Sequence, residues 1–188
     1  AIILAPLGET VVSGHAVALN IASIVFMLPL AIGLAASTRV GNLLGEKRYI
    51  DARYSSKVSL SLCFIGALFN MTLLITLGDK LISLYTKDLL VYSVASHLII
   101  FAAIFQIPDG IGMGSLGALR GYKDTFMTMV FIIIAYWVFA IPFGYYLTYY
   151  GINQPMGESG MWISMILGLT IFASLISRRL IKISGQYL

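Results

Sequence analysis

Residues 14–38 include no Lys, Arg, Asp or Glu, and neither do residues 58–77, 125–149 or 159–177. A fifth run, 89–119, is interrupted by one charge, Asp109. A membrane helix needs about 20 consecutive, mostly apolar residues, and each run supplies that length. A soluble domain carries roughly 25% charged residues, whereas this chain has 11%, with 59% hydrophobic. The runs therefore predict an all-α polytopic membrane protein. The fifth run is too long for one simple span, so its span proper is placed at 94–118, with 81–92 as partly interfacial helix. A further apolar stub at 1–7 reads as the tail of another span. The expected organisation is one transmembrane lobe over 1–188, with spans at 1–7 (partial), 14–38, 58–77, 94–118, 125–149 and 159–177. The opening AIILAPLG lies inside apolar sequence, without an initiator Met or a signal-peptide pattern, so upstream helices are expected.

The charges that remain are unevenly placed. Ten Lys and Arg (Arg39, Lys47, Arg48, Arg53, Lys57, Arg120, Lys123, Arg178, Arg179, Lys182) fall on one side of the spans, and Lys80 and Lys87 on the other. Basic residues accumulate on the cytoplasmic side, so the C-terminus is expected inside. The same distribution explains the net charge of +4 by topology, without nucleic acid. The lone Cys63 can form no intrachain disulfide and no multi-Cys metal site.

Asp109 stands near the middle of its span, in FQIPDGIGMGSLGALRGYKD. An Asp at the centre of a membrane helix costs about 2.5 to 3.5 kcal/mol on insertion scales. It persists where it pairs, binds an ion, faces water or holds a proton. The functional reading is a group that carries a proton or coordinates a small cation such as Na+; the structural alternative is an acid hydrogen-bonded for packing. Pro108 has no N–H to give the carbonyl of Ile104, leaving a free oxygen one turn from the carboxylate. Phe105 and Gln106 lie four and three residues before Asp109 and can share its face. Gly110, Gly114, Gly117 and Gly121 form a small-residue stripe that suits close helix packing, with a hinge as the alternative. Asn20, Asn70 and Tyr136 are further polar groups inside spans; Asn20 and Tyr136, with Gln106, are candidates for cavity lining. Pro142 is expected to kink the fourth span, and Asp124 to cap its start. His15 and His97 suit packing better than catalysis.

Enzyme chemistry finds little support. Ser115 lies about 27 Å along the same helix from His97, too far for a nucleophile and its base. There is no HExxH, no second intramembrane Asp and no P-loop.

The stretches APLGETVVSGHAVALN, FMLPLAIGLAASTRVGNLLGE, LRGYKDT and AYWVFAIPFGYYL cover most of the chain. In order and spacing they resemble the C-terminal half of a multidrug and toxic compound extrusion (MATE) family transporter of the NorM-like branch. The resemblance implies a six-helix lobe, its first helix truncated, of a twelve-helix fold: the end of helix 7 and helices 8 to 12. It implies export of cationic amphipathic drugs and dyes from a bacterial inner membrane, driven by Na+ or H+, with no cofactor. Partners would be those small molecules, membrane lipid and the N-terminal six-helix lobe, with no nucleic acid. In NorM-like members an Asp on helix 10 belongs to the cation site, and Asp109 occupies its place. Their helix 7 Glu would lie upstream of Ala1, and Phe105 stands where a Tyr can occur, which leaves Na+ against H+ open. A lipid or polysaccharide-precursor flippase of the same superfamily and a non-transporting membrane scaffold are the alternatives. The absence of Lys and Arg inside the spans favours cationic over anionic cargo.

Overall fold

The computed structural model describes residues 2–187, and the described residues hold helices without strands. A 3₁₀ segment, Ile2–Leu7, leads through Gly8 into α1 (Glu9–Gly45), followed by α2 (Tyr49–Tyr85) and α3 (Leu89–Gly121). The fourth span is one continuous rod of three windings: α4 (Thr125–Ile132), a π-helical stretch (Ile133–Ala140) and α5 (Ile141–Tyr149). The last helix is α6 (Gly157–Gly185). Five of these helical rods are long and apolar enough to cross a membrane. This is a multi-pass membrane protein.

The expected interfacial helix at 81–92 is not a separate element. Its first half completes α2, and its second half opens α3. The break between them is set by Asp88, whose carboxylate accepts the N–H groups of Leu90 and Val91 at 2.8 and 3.4 Å. Two donors that lack partners in the first turn are thereby satisfied.

The two sharp turns at the basic end share one design. After α1 and after α3, a lysine adopts the left-handed conformation, Lys47 at φ 59° and Lys123 at φ 61°. In each, the next residue's N–H reaches back to a carbonyl of the last helical turn: Arg48 to Leu43 and Asp124 to Leu119, at 2.9 and 3.0 Å. Glycine is the usual residue here; lysine instead places a cation against the helix's negative end.

α3 is the central rod, packed against α1, α2 and α6, while the fourth span lies mainly on α6. Glycines allow the approach. A Cβ on Gly110 would meet Ala67 Cβ at 2.6 Å and Cys63 O at 2.8 Å, both on α2; one on Gly117 would collide with the backbone of Gly33 on α1. The stripe therefore divides between two neighbours, and close packing is its role. Apolar side chains form two clusters along the bundle. One gathers Leu98, Ala102 and Ala103 with Leu74, Ile82 and Trp162; the other gathers Ala118 and Leu119 with Val40, Leu169 and Ile176. The part of α3 between Ala103 and Ala118, which contains Asp109, separates them.

Proline shapes two rods. Pro29 cannot give an N–H to Val25 O, and Asn70 on α2 supplies one instead, at 2.7 Å. Pro142 stands in the first turn of α5, and the irregularity sits before it as π-helix, with the Ile141 N–H bonded to Tyr136 O. Ser164 of α6 donates to Ala140 O at 2.5 Å. Asp124 does not cap the fourth span. Its side chain makes no cap bond; Arg179 draws it away, with Nε to Oδ2 at 2.6 Å and Nη2 to Oδ1 at 3.2 Å.

Candidate functional site

Asp109 follows Pro108 within unbroken α-helix, about 16 Å along the axis from Arg120 at the basic end. It is half-buried. Five of the chain's seven other carboxylates are engaged: Asp51 and Glu46 accept from Arg48, Asp79 from Ser96, Asp88 from the start of α3, and Asp124 from Arg179; Glu9 and Glu158 lie in the first turns of α1 and α6. Among the described residues no cation stands within ion-pair distance of Asp109. Nor does any group of three or more His, Cys, Asp or Glu there suit a metal ion. Asp109 thus offers a single carboxylate to any cation, and further oxygens must come from elsewhere.

The residues expected around it diverge. Gln106 is only 1% exposed and turns to α2, where its Oε1 accepts from Asn70 Nδ2 at 3.3 Å. Its own Nε2 is buried without a partner among the described residues. Phe105 turns toward α6 and meets Trp162 edge-on, with ring centres 6.3 Å apart. Pro108 lines a recess of about 360 Å³ with Ile107, Ile111, Thr170, Ala173, Ser174 and Ser177. Tyr136, in the π-helical stretch, packs on Phe172 at 6.5 Å and lies within electrostatic reach of Asp109. Asn20 is on the exposed side of α1 and donates to Ala16 O of its own helix at 2.9 Å.

Two features of this region escape the sequence reading, the partners of Asn70 and the winding around Tyr136. Asn70 ties three helices together, α1 through Val25 O and α3 through Gln106. The available signal was Pro29, four residues after Val25. His15 packs as its setting suggested: it is buried, and its Nδ1 accepts from Trp162 Nε1 at 3.1 Å. The π-helical winding around Tyr136 has no sequence signal beyond Pro142, although such turns are frequent at functional sites.

The fold is shared with solved structures. It superposes with a TM-score of 0.85 on 95% of this chain and 40% of a chain described as eukaryotic MATE transporter AtDTX14, at 22% identity. The MatE family model matches residues 1–146. The chain belongs to the MatE family. Among curated relatives of this MatE chain, the multidrug resistance protein NorM of Vibrio vulnificus is 44% identical over 181 residues, 96% of this chain and 40% of that protein. NorM of Vibrio cholerae is 40% identical over 99% of the chain and 41% of its own length. The multidrug resistance protein PmpM of Pseudomonas aeruginosa is 35% identical over 100% of the chain and 40% of its own length. The chain thus spans about 40% of the length of each of these relatives.

Proposed function

We propose that this chain is the C-terminal lobe of a secondary active multidrug exporter, and that Asp109 is its cation-coupling group. The observation that carries this reading is a carboxylate placed deep in a membrane span with no cation beside it among the described residues. Such a group is costly when charged and unpaired. Binding Na+ or H+ relieves that cost and neutralises the carboxylate, and this difference between two states is what a coupled ion needs. The relatives' names, multidrug resistance proteins, support drugs as cargo. Spans without Lys or Arg favour cationic, amphipathic molecules over anionic ones.

In this scheme the protein spans a bacterial inner membrane with its basic end and C-terminus inside, and an N-terminal lobe of six helices faces it across a cavity. Asp109 takes up a cation from outside. Neutralisation changes the packing of α3 beside Pro108, whose missing N–H weakens the helix there. The lobes rock, drug leaves outward and the cation passes inward. One charge moving through 100 mV supplies about 2.3 kcal/mol, enough to bias such a two-state element roughly fifty-fold. Tyr136, near Asp109, lines the path, with Gln106 and Asn20 as weaker contributors.

The test is ethidium efflux from cells carrying the full-length parent, with and without Na+. The wild type extrudes the dye, and Asp109→Asn at equal membrane abundance does not. Unchanged efflux in that variant removes Asp109 from the coupling role. Efflux that requires Na+ identifies the ion as Na+; efflux that persists without it but collapses with a protonophore identifies H+.

A further inference from the structure

The basic end of the bundle contains a second recess, which borders the one beside Pro108 at Ser177. It lies between the beginning of α2 and the end of α6, encloses about 270 Å³, and is lined by Arg53, Ser56, Lys57, Leu60, Ser177, Leu180, Ile181 and Ser184. Two of these are cations one helical turn apart, so both present to one face. Neither has a carboxylate within ion-pair distance among the described residues. Nearby acids are already committed, Asp51 and Glu46 to Arg48 and Asp124 to Arg179.

The donors there are incompletely used. Arg53 Nε is buried with no acceptor among the described residues. A buried donor without an acceptor costs about 1 to 3 kcal/mol, which favours turning the Arg53 guanidinium toward an anion in the recess. Apolar surface comes from Leu60 on the α2 side and from Leu180 and the outward-facing Ile181 on the α6 side, beside Ser177 and Ser184. Cations at the mouth and hydrocarbon along the wall match an amphiphilic anion at the membrane surface, where basic pockets between helices hold phospholipid headgroups.

We propose that this α2–α6 recess binds the phosphate headgroup of an anionic phospholipid, with Arg53 and Lys57 as its counter-charges and the apolar wall against its glycerol and upper acyl chain. The bound lipid bridges two helices otherwise in slight contact and steadies the inner end of the lobe.

The experiment uses the purified full-length parent, with lipid binding followed by native mass spectrometry against phosphatidylglycerol and, separately, phosphatidylcholine. The wild type is expected to bind phosphatidylglycerol at least ten-fold more tightly. One basic group near a membrane surface is worth about a five-fold change, so the double variant Arg53→Gln with Lys57→Gln weakens phosphatidylglycerol binding by about 30-fold and leaves phosphatidylcholine unchanged. Lys47→Gln, a cation outside the recess, changes neither. Arg53→Lys, which keeps the charge, retains most of the binding. Ile181→Asp, at a wall position 67% exposed and tolerant of substitution, reduces it by an independent route. Inorganic phosphate and glycerol phosphate, lacking acyl chains, do not displace the lipid at equal concentration. The proposal is overturned if the double variant binds as the wild type does, if Lys47→Gln loses as much, or if phosphate alone displaces the lipid.

Discussion

Gly117→Ala and Gly41→Ala add the same methyl group to the same helix pair and should act in opposite directions. At Gly117 the new Cβ would fall 2.7 Å from both the Cα and the carbonyl carbon of Gly33, and closer still to its oxygen. These are backbone atoms of α1 and cannot rotate aside. Restoring a normal carbon contact of 3.5 to 4.0 Å moves α1 and α3 apart by about 1 Å. A gap of that size forfeits a quarter to a half of the attraction at each neighbouring contact, and overpacking of this kind costs about 1 to 3 kcal/mol. At Gly41 the nearest atom to a new Cβ is Gly121 O at 3.9 Å, an ordinary contact, so the substitution keeps the gain of up to about 1 kcal/mol that Ala has over Gly in a helix. The assay is thermal unfolding of the purified full-length parent in detergent, read by far-ultraviolet circular dichroism at fixed lipid content. Gly117→Ala is expected to melt several degrees below the wild type and Gly41→Ala at or above it. Equal melting of the two variants would refute the close α1–α3 approach.

Asn70→Leu removes the donor that serves Val25 O and Gln106 together; it should lower stability by about 1 to 3 kcal/mol, measured by the same melt, whereas Thr72→Val, an exposed hydroxyl bonded to its own helix, should change little. Arg179→Gln breaks the pair with Asp124 and should lower the melting temperature, with Asp124→Asn adding little further loss in the Arg179→Gln background. Lys123→Gly relieves a left-handed lysine and should raise stability by about 1 kcal/mol, a gain that fails to appear if the turn is not formed.

The helices were legible because charge punctuates them. Arg39, Asp79, Asp88 and Arg120 bracket apolar runs, and a chain in lipid has few ways other than helix to satisfy its backbone there. Less legible was the fate of residues whose partners are remote in sequence. Asp124 stands where a cap belongs, yet a guanidinium 55 residues away competes better for a carboxylate than a helix start does. Residues 81–92 read as partly interfacial helix because the run after Asp88 is too long for one simple span, whereas Asp88 breaks the chain and caps a single long rod. Asp109 was visible as an isolated charge; that Phe105 and Gln106 turn to α6 and α2 was not, since local spacing sets a residue's angle on its own helix and leaves open which neighbour lies there. The π-helical winding around Tyr136 depends on how α6 packs, through Ser164 and Gly168, against Ala140, which no local pattern encodes.

The central claim is that Asp109 holds the coupling cation, and ion movement tests it more directly than drug resistance does. Proteoliposomes containing the full-length parent are loaded with a cationic dye, and the opposing flux of Na+ or H+ driven by the dye gradient is recorded. Wild-type protein should move one of these ions against the dye, and Asp109→Asn should move neither while still binding the dye. Undiminished dye-driven ion flux in Asp109→Asn would contradict the account.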